Sequence, residues 1–222
     1  ALAAGGQPVP VVLDTDMGGD CDDAGALAIV HVLADQGKAR IVAVTSCTSA
    51  HYTPGCIDAI NTWYGRPEIP VGALKEEGFM AQMDQYYCRA VATDLPNRIR
   101  HRGNALDAIP LLRRSLAGEA DGSVSLVAIG PLRNIRLLLE SGPDEASPLD
   151  GCALAHVKVR ELVVMGGFFG AEKPFPQAGE WNFAQDPASA AKVAWSLPSI
   201  ARASGVSSLA AFSSGAIGRG LT

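Results

Sequence analysis

Short runs of β-branched and apolar residues alternate along this chain with segments whose apolar positions recur at helical spacing. Val9 to Leu13 is such a run, closed by acids and glycines, and from Asp23 to about Leu33 the residues Leu27, Ala28, Val30 and His31 predict a helix. Arg40 to Thr45 is a second strand run, so strand, helix and strand form a βαβ unit. Thr53 predicts an N-cap with Pro54 at the first helical position, Ile57, Ile60 and Trp63 or Tyr64 carry that helix, and Gly65 with Pro67 stops it. Ile69 to Ala73 reads as a third strand. Leu74 to about Asn104 is rich in Met, Gln, Tyr and Arg and has no clear period. Beyond it come a helix from Ala105 to about Leu116, a strand from Val124 to Ile129, a helix from Pro131 to Glu140 and a strand from Glu161 to Met165. Asp186 and Pro187 then open a last helix through Ala194 as N-cap and first residue.

Strands and helices in alternation, with strand cores apolar throughout, predict an α/β fold: an open, mostly parallel sheet with helices on both faces and a Rossmann-like core. Ligands of such sheets sit outside the carboxyl ends of the strands, at a switch point. Three strand ends fit that place: Asp14-Thr15-Asp16, Ile129-Gly130-Pro131 and Met165-Gly166-Gly167.

Composition narrows the class. The 222 residues are 48% hydrophobic and 18% charged, which is too apolar for a disordered chain, and the 24 glycines follow no triplet period. Lys and Arg number 18 against 23 Asp and Glu, a net charge of −5, so a nucleic-acid partner is not expected. The one basic cluster, Arg98, Arg100, His101 and Arg102, reads as a solvated loop or helix start. No apolar run approaches the roughly 20 residues of a membrane-spanning helix. The five cysteines, Cys21, Cys47, Cys56, Cys88 and Cys152, are odd in number and lack CxxC spacing, and read as buried free thiols. Ala1 to Ala4 resembles the small-residue end of a cleaved signal peptide, so both a cytoplasmic and an exported location stay open.

The chemistry concentrates between residues 14 and 23, where Asp14, Asp16, Asp20, Asp22 and Asp23 put five carboxylates into ten residues. Like charges so close do not all remain ionised without a positive partner. Hard oxygen ligands at that density call for Ca²⁺ or Mg²⁺, and adjacent carboxylates able to bind bidentately favour Ca²⁺. Gly18 and Gly19 permit the turn that folds the acids around an ion. Helix capping explains one acid or two, not five. An EF-hand fails because Gly25 stands where its twelfth-position Glu belongs. A phosphotransferase with Asp14 as nucleophile and Asp16 as its partner is the runner-up; Gly18 stands where that chemistry wants a hydroxyl or small β-branched residue.

Val12-Leu13-Asp14-Thr15-Asp16-Met17-Gly18 through Asp22-Asp23-Ala24-Gly25-Ala26-Leu27 resembles the N-terminal signature of the inosine-uridine-preferring nucleoside hydrolases. Ala128 to Ile135 resembles their second motif, Val164 to Gly167 the third, and Glu180-Trp181-Asn182 with Asp186-Pro187 the fourth. The four stand in family order over roughly residues 9 to 195. The resemblance implies Ca²⁺-dependent cleavage of the N-glycosidic bond of ribonucleosides. It implies Asp16 as metal ligand and base toward the attacking water, Asp23 as bidentate ligand, Ile129 as carbonyl ligand and Asp22 as holder of the ribose hydroxyls. Met165, Glu180 and Asn182 would line the sugar site, with Asp14 and Asp20 in support. A small-molecule nucleoside substrate and a homo-oligomer are the partners it implies.

The sequence departs from that pattern in four places. Asp20 lies in a spacing longer by two residues, as in relatives opening DTD-x-GG-D-x-DD. Ser49-Ala50-His51 replaces the Asn expected after the second strand, and the Asn of the loop between Gly167 and Glu180 is not evident. No Asp, Glu or His follows Asp186, where the family carries a His-Asp pair. From Ser196 the sequence turns to Ser, Ala, Gly and Arg with poor periodicity, so residues 7–195 are expected to form the α/β domain, incomplete at its C-terminus, and 196–222 an atypical, disordered or altered tail. A relative that binds metal or ribosides without turnover is therefore the alternative reading. His31 is expected to be packed, His156 to lie at a turn, His51 at a strand end near the site; Trp181 suits core and sugar platform alike.

Overall fold

The computed structural model describes residues 7–83, 86–167, 180–197 and the backbone of 201–203. Among the described residues seven strands form one parallel sheet: β1 (Val9–Thr15), β2 (Ala39–Ser46), β3 (Val71–Ala73), β4 (Leu106–Asp107), β5 (Val124–Ala128), β6 (Val159–Val164) and β7 (Ala201–Ala203). Their order is β4-β3-β2-β1-β5-β6-β7. From β1 the chain builds outward through β2, β3 and β4, then returns to lay β5 on the other side of β1. The switch point of the sheet is the crevice between β1 and β5.

Helices α1 (Asp22–Asp35), α2 (Thr53–Trp63) and α3 (Tyr87–Asp94) cover one face. Helices α4 (Ala108–Ala117), α5 (Arg133–Glu140), α6 (Gly151–Lys158) and α8 (Pro187–Ser196) cover the other, and α7 (Trp181–Gln185) is a single turn before α8. Successive strand residues point to opposite faces, so the apolar runs serve two cores. Leu13, Val44 and Val71 pack with Leu27, Ile57 and Cys88 on the first face. Val12, Leu126 and Leu162 pack with Leu112, Ile135, Leu154 and Val193 on the second. An extra residue in β2 shifts the register with β1 between Val11 and Val12, after which Asp14 lies beside Thr45. Among the described residues no helix is long and apolar enough to cross a membrane.

The α/β class, the parallel sheet and the order of the main elements stand as the hydrophobic pattern predicts. Several local expectations are corrected. The N-cap of α2 is Tyr52, not Thr53, and the Thr53 hydroxyl instead donates to the Met17 carbonyl at 2.8 Å. The unpatterned stretch before Asn104 contains α3, and Leu106–Asp107 is an edge strand where the pattern continues a helix. His156 sits in the last turn of α6, not at a turn between elements. Ala201–Ala203 pairs in parallel with β6 in a stretch whose side chains show no strand pattern, because backbone groups make that ladder. Of the cysteines, Cys47, Cys56 and Cys88 are buried, Cys21 is exposed and Cys152 half-buried.

The basic cluster lies on a solvated segment, as expected, with Arg98 and Arg100 exposed, and two of its cations have specific partners. Arg98 meets the fully buried Asp58, its backbone N–H donating to Oδ2 at 2.6 Å and its guanidinium to Oδ1 at 2.9 Å. Arg102 donates to the Leu74 and Lys75 carbonyls at 3.1 and 3.2 Å and pairs with Glu77. Both cations therefore fasten the segment after β3 to the body of the domain.

Candidate active site

The carboxylates line the carboxyl end of β1, at the switch point. Asp14 is the last strand residue but one and is fully buried. Its Oδ1 accepts from the Thr45 hydroxyl of β2 at 2.5 Å and from Asn134 Nδ2 of α5 at 2.8 Å, while Oδ2 has no partner. Asp16 follows the strand and is 6% exposed. Against it lies Gly130, where a Cβ would stand 2.6 Å from Asp16 Oδ1 and 2.8 Å from Cys47 Sγ, so the loop after β5 closes on Asp16 only because residue 130 has no side chain. Gly18, at φ 146°, turns the chain away so that Asp20 and Asp22 return toward Asp23. Asp23 is buried in the first turn of α1 and accepts from the Thr15 hydroxyl, which itself accepts from Met17 N at 3.1 Å.

Burial leaves these groups reluctant to ionise. Desolvation is the main cause for Asp14 and Asp16, both pushed up to about 7, and for Asp23, pushed up to about 8 with the Asp16 charge next in weight. Hydrogen bonds from Thr45, Asn134 and Thr15 oppose the shift without cancelling it. Asp20, on the surface, is raised first by its hydrogen bond to Asp22. Carboxylate oxygens of Asp20, Asp22 and Asp23 lie within 4.8 Å of one another, and the ion pairs of the described residues include none to any of these five acids. Crowded oxygen donors on Asp20, Asp22 and Asp23 with no cation among the described ion pairs, and the buried, partnerless Asp14 Oδ2 deeper at the same strand end, fit a hard divalent ion.

The remaining candidates sit on the facing strand ends. Ile129 donates its N–H to the Asp14 carbonyl at 2.9 Å and Met165 to the Ala128 carbonyl at 2.9 Å, carrying the sheet pairing into both loops. The buried Asn182 side chain bridges them, its Nδ2 donating to the Met165 carbonyl at 2.9 Å and the Ile129 carbonyl at 3.3 Å. Glu180 caps α7, its two carboxylate oxygens accepting from Asn182 N and Phe183 N at 3.0 and 2.9 Å. Trp181 is exposed, which removes it from the core. His51 lies beyond β2, stacked on His101 with ring centroids 4.9 Å apart.

Thus Asp14, Asp16, Asp20, Asp22, Asp23 and Ile129 converge at one crevice, and Met165, Glu180 and Asn182 form its next wall. Thr15, Thr45, Cys47 and Asn134, which build the site from behind, escape the sequence reading. Thr45 carries a faint signal, as a hydroxyl ending an apolar strand, and Asn134 another, inside the second motif.

Comparison with known proteins gives the family and the fold. The model of the inosine-uridine preferring nucleoside hydrolases matches residues 11–206. The chain belongs to that family. It is 29% identical over 198 residues to the non-specific ribonucleoside hydrolase RihC of Klebsiella pneumoniae, covering 83% of this chain and 57% of that one. To the pyrimidine-specific ribonucleoside hydrolase RihA of an Enterobacter species (strain 638) it is 30% identical over 196 residues, 82% of this chain and 55% of the relative. The chain therefore spans somewhat over half the length of these hydrolases. The fold is similar to that of the plant nucleoside hydrolase PpNRh1, with TM-score 0.61 and 22% identity over 90% of this chain and 60% of that one. It is also similar to that of the type III effector XopQ, solved with adenosine diphosphate ribose, with TM-score 0.68 and 17% identity over 88% and 56%.

Proposed function

We propose that this protein hydrolyses the N-glycosidic bond of ribonucleosides with a bound Ca²⁺. The observation that carries this reading is the buried carboxylate set at the β1–β5 switch point, in a chain of the nucleoside hydrolase family. Asp16, Asp23 and the Ile129 carbonyl would hold the ion. When bound, it supplies a water of lowered pKa, already oriented.

Asp16 then has two parts, as ligand and as the base that takes the proton from the attacking water. Positive charge builds at the ribose C1′ as the bond to the base breaks, and the negative charge of Asp16 and its neighbours stabilises it there. Asp22, exposed beside Asp20, would accept from ribose hydroxyls. Asn182 holds Ile129 and Met165 in register, and Glu180 fixes Asn182 by capping its helix.

The test is reducing-sugar release from a panel of purine and pyrimidine ribonucleosides, with calcium and with chelator. Wild-type chain is expected to release ribose only with calcium. Asp16→Asn is expected to lose at least about 10²-fold in kcat, the usual scale for a general base. Turnover that survives chelation or the substitution overturns the assignment, and calcium and riboside binding without turnover replaces it with a binding role.

A further inference from the structure

Helix α6, on the face of the sheet away from α1, α2 and α3, carries a thiol and an imidazole four residues apart. Gly151, Leu154 and Ala155 turn inward, which leaves Cys152 half-buried and His156 exposed on the outer side. Residues at i and i+4 of a helix lie one above the other, and here Cys152 Sγ stands 3.7 Å from His156 Nδ1. The helix that holds them is fixed at its start. Asp150 caps it by accepting from Ala153 N at 2.8 Å, Gly151 N donates to the Ser141 carbonyl at 2.8 Å, and a Cβ at Gly151 would stand 1.6 Å from the Leu138 carbonyl oxygen of α5. Its last residue, Lys158, pairs with Asp121 at 2.8 Å. The proposed hydrolysis uses neither Cys152 nor His156.

We infer that Cys152 and His156 chelate a divalent ion of the zinc class. A tetrahedral ion about 2.3 Å from a sulfur and about 2.0–2.1 Å from a nitrogen holds those two atoms about 3.6 Å apart, so the pair already stands at the distance the ion needs. Thiolate and imidazole are softer donors than carboxylates, and they select zinc over the hard calcium proposed for the β1–β5 crevice. Binding replaces the thiol proton, which leaves to solvent. In the metal-free chain His156 Nδ1 carries its proton and donates to the Cys152 carbonyl at 2.9 Å. In the chelate that proton sits on Nε2, and Nδ1 turns its lone pair to the ion. Water fills the two remaining positions, so the ion is exchangeable. Closed across one helical turn, the chelate staples α6 directly ahead of β6, the strand that leads to Met165.

The probe is Co²⁺, titrated into the reduced full chain with calcium in excess, because a thiolate on cobalt gives a near-ultraviolet charge-transfer band that carboxylates do not. A band is expected that added Zn²⁺ removes and that is absent in Cys152→Ala. In His156→Ala it is expected only at cobalt concentrations at least about tenfold higher, since even a partner outside the ligand shell is worth that much in metal affinity. Cys21, exposed between Asp20 and Asp22, is the rival thiol, and Cys21→Ala is expected to leave the band unchanged. No band, or one that survives Cys152→Ala or disappears in Cys21→Ala, overturns the site; unchanged affinity in His156→Ala overturns the chelate. None of these readouts depends on hydrolase activity, so this proposal and the proposed function fail separately.

Discussion

Gly130 shows how narrowly the site is drawn. Its missing side chain is what lets Asp16 Oδ1 and the Cys47 sulfur occupy the space beside the β5 loop. Gly130→Ala must move backbone or carboxylate by several tenths of an ångström, and overpacking of this kind costs about 1–3 kcal/mol. The expected outcome is a stability loss of that size in urea unfolding, together with calcium affinity weakened at least about tenfold in calorimetric titration, since ligand placement sets affinity. Unchanged calcium affinity contradicts the placement of Asp16 among the ligands. At this scale the acids themselves are legible, because five carboxylates in ten residues have few other uses. Their supports are not: Thr45 and Asn134 reach Asp14 across 31 and 120 residues of sequence. A hydroxyl or amide in isolation does not announce which distant carboxylate it serves.

Among the elements, α8 depends on its first turn. Asp186 is 7% exposed, its Oδ1 accepts from Ser189 N at 3.1 Å and its Oδ2 from the Ser189 hydroxyl at 2.5 Å. The same Oδ2 pairs with Arg133 Nε at 2.6 Å, and the Arg133 guanidinium lies over the Phe79 ring and reaches Glu76 at 3.1 Å. One carboxylate thus joins α8, α5 and the segment after β3 at the rim of the crevice. Asp186→Ala removes the cap and leaves a largely covered guanidinium short of a partner, an expected loss of about 2–3 kcal/mol. Asp186→Asn retains the cap and is expected to cost about half as much, so urea midpoints of the two variants separate cap from charge. This cap is readable in the Asp-Pro dipeptide. Helix α3, the short β4 and the backbone pairing of β7 are not, since each owes its form to neighbours and not to a period of its own.

Over the whole molecule, the buried acids link folding to protons and to metal. The folded Asp14, Asp16 and Asp23 hold their protons to about 7, 7 and 8, against an ordinary 3.8. The native state therefore binds more protons than the unfolded chain between about pH 4 and 8. Their contribution to stability is greatest below pH 4 and is lost as pH rises through 7 to 8. In chelator, Asp16→Asn, which cannot ionise, is expected to gain in Tm over wild type as pH rises from 5 to 8. Calcium is expected to reverse the order, stabilising wild type most at pH 8, where protons compete least for the carboxylates. Scanning calorimetry of both proteins at the two pH values checks this, and a Tm difference independent of pH and calcium contradicts it.

By itself the sequence determined the class of fold, the order of its main elements and the type of chemistry at one strand end. Each of these is local: a strand's apolar run, a helical period, a dense cluster of hard oxygen donors. Only the tertiary structure decided that β5 returns beside β1, and this makes the crevice in which Asp16, Asp23 and Ile129 meet. It also decided that Glu180 caps a helix and that Arg98 meets the buried Asp58 forty residues away. Those outcomes rest on contacts between segments far apart in the chain, where packing and desolvation set each group's neighbours and its charge.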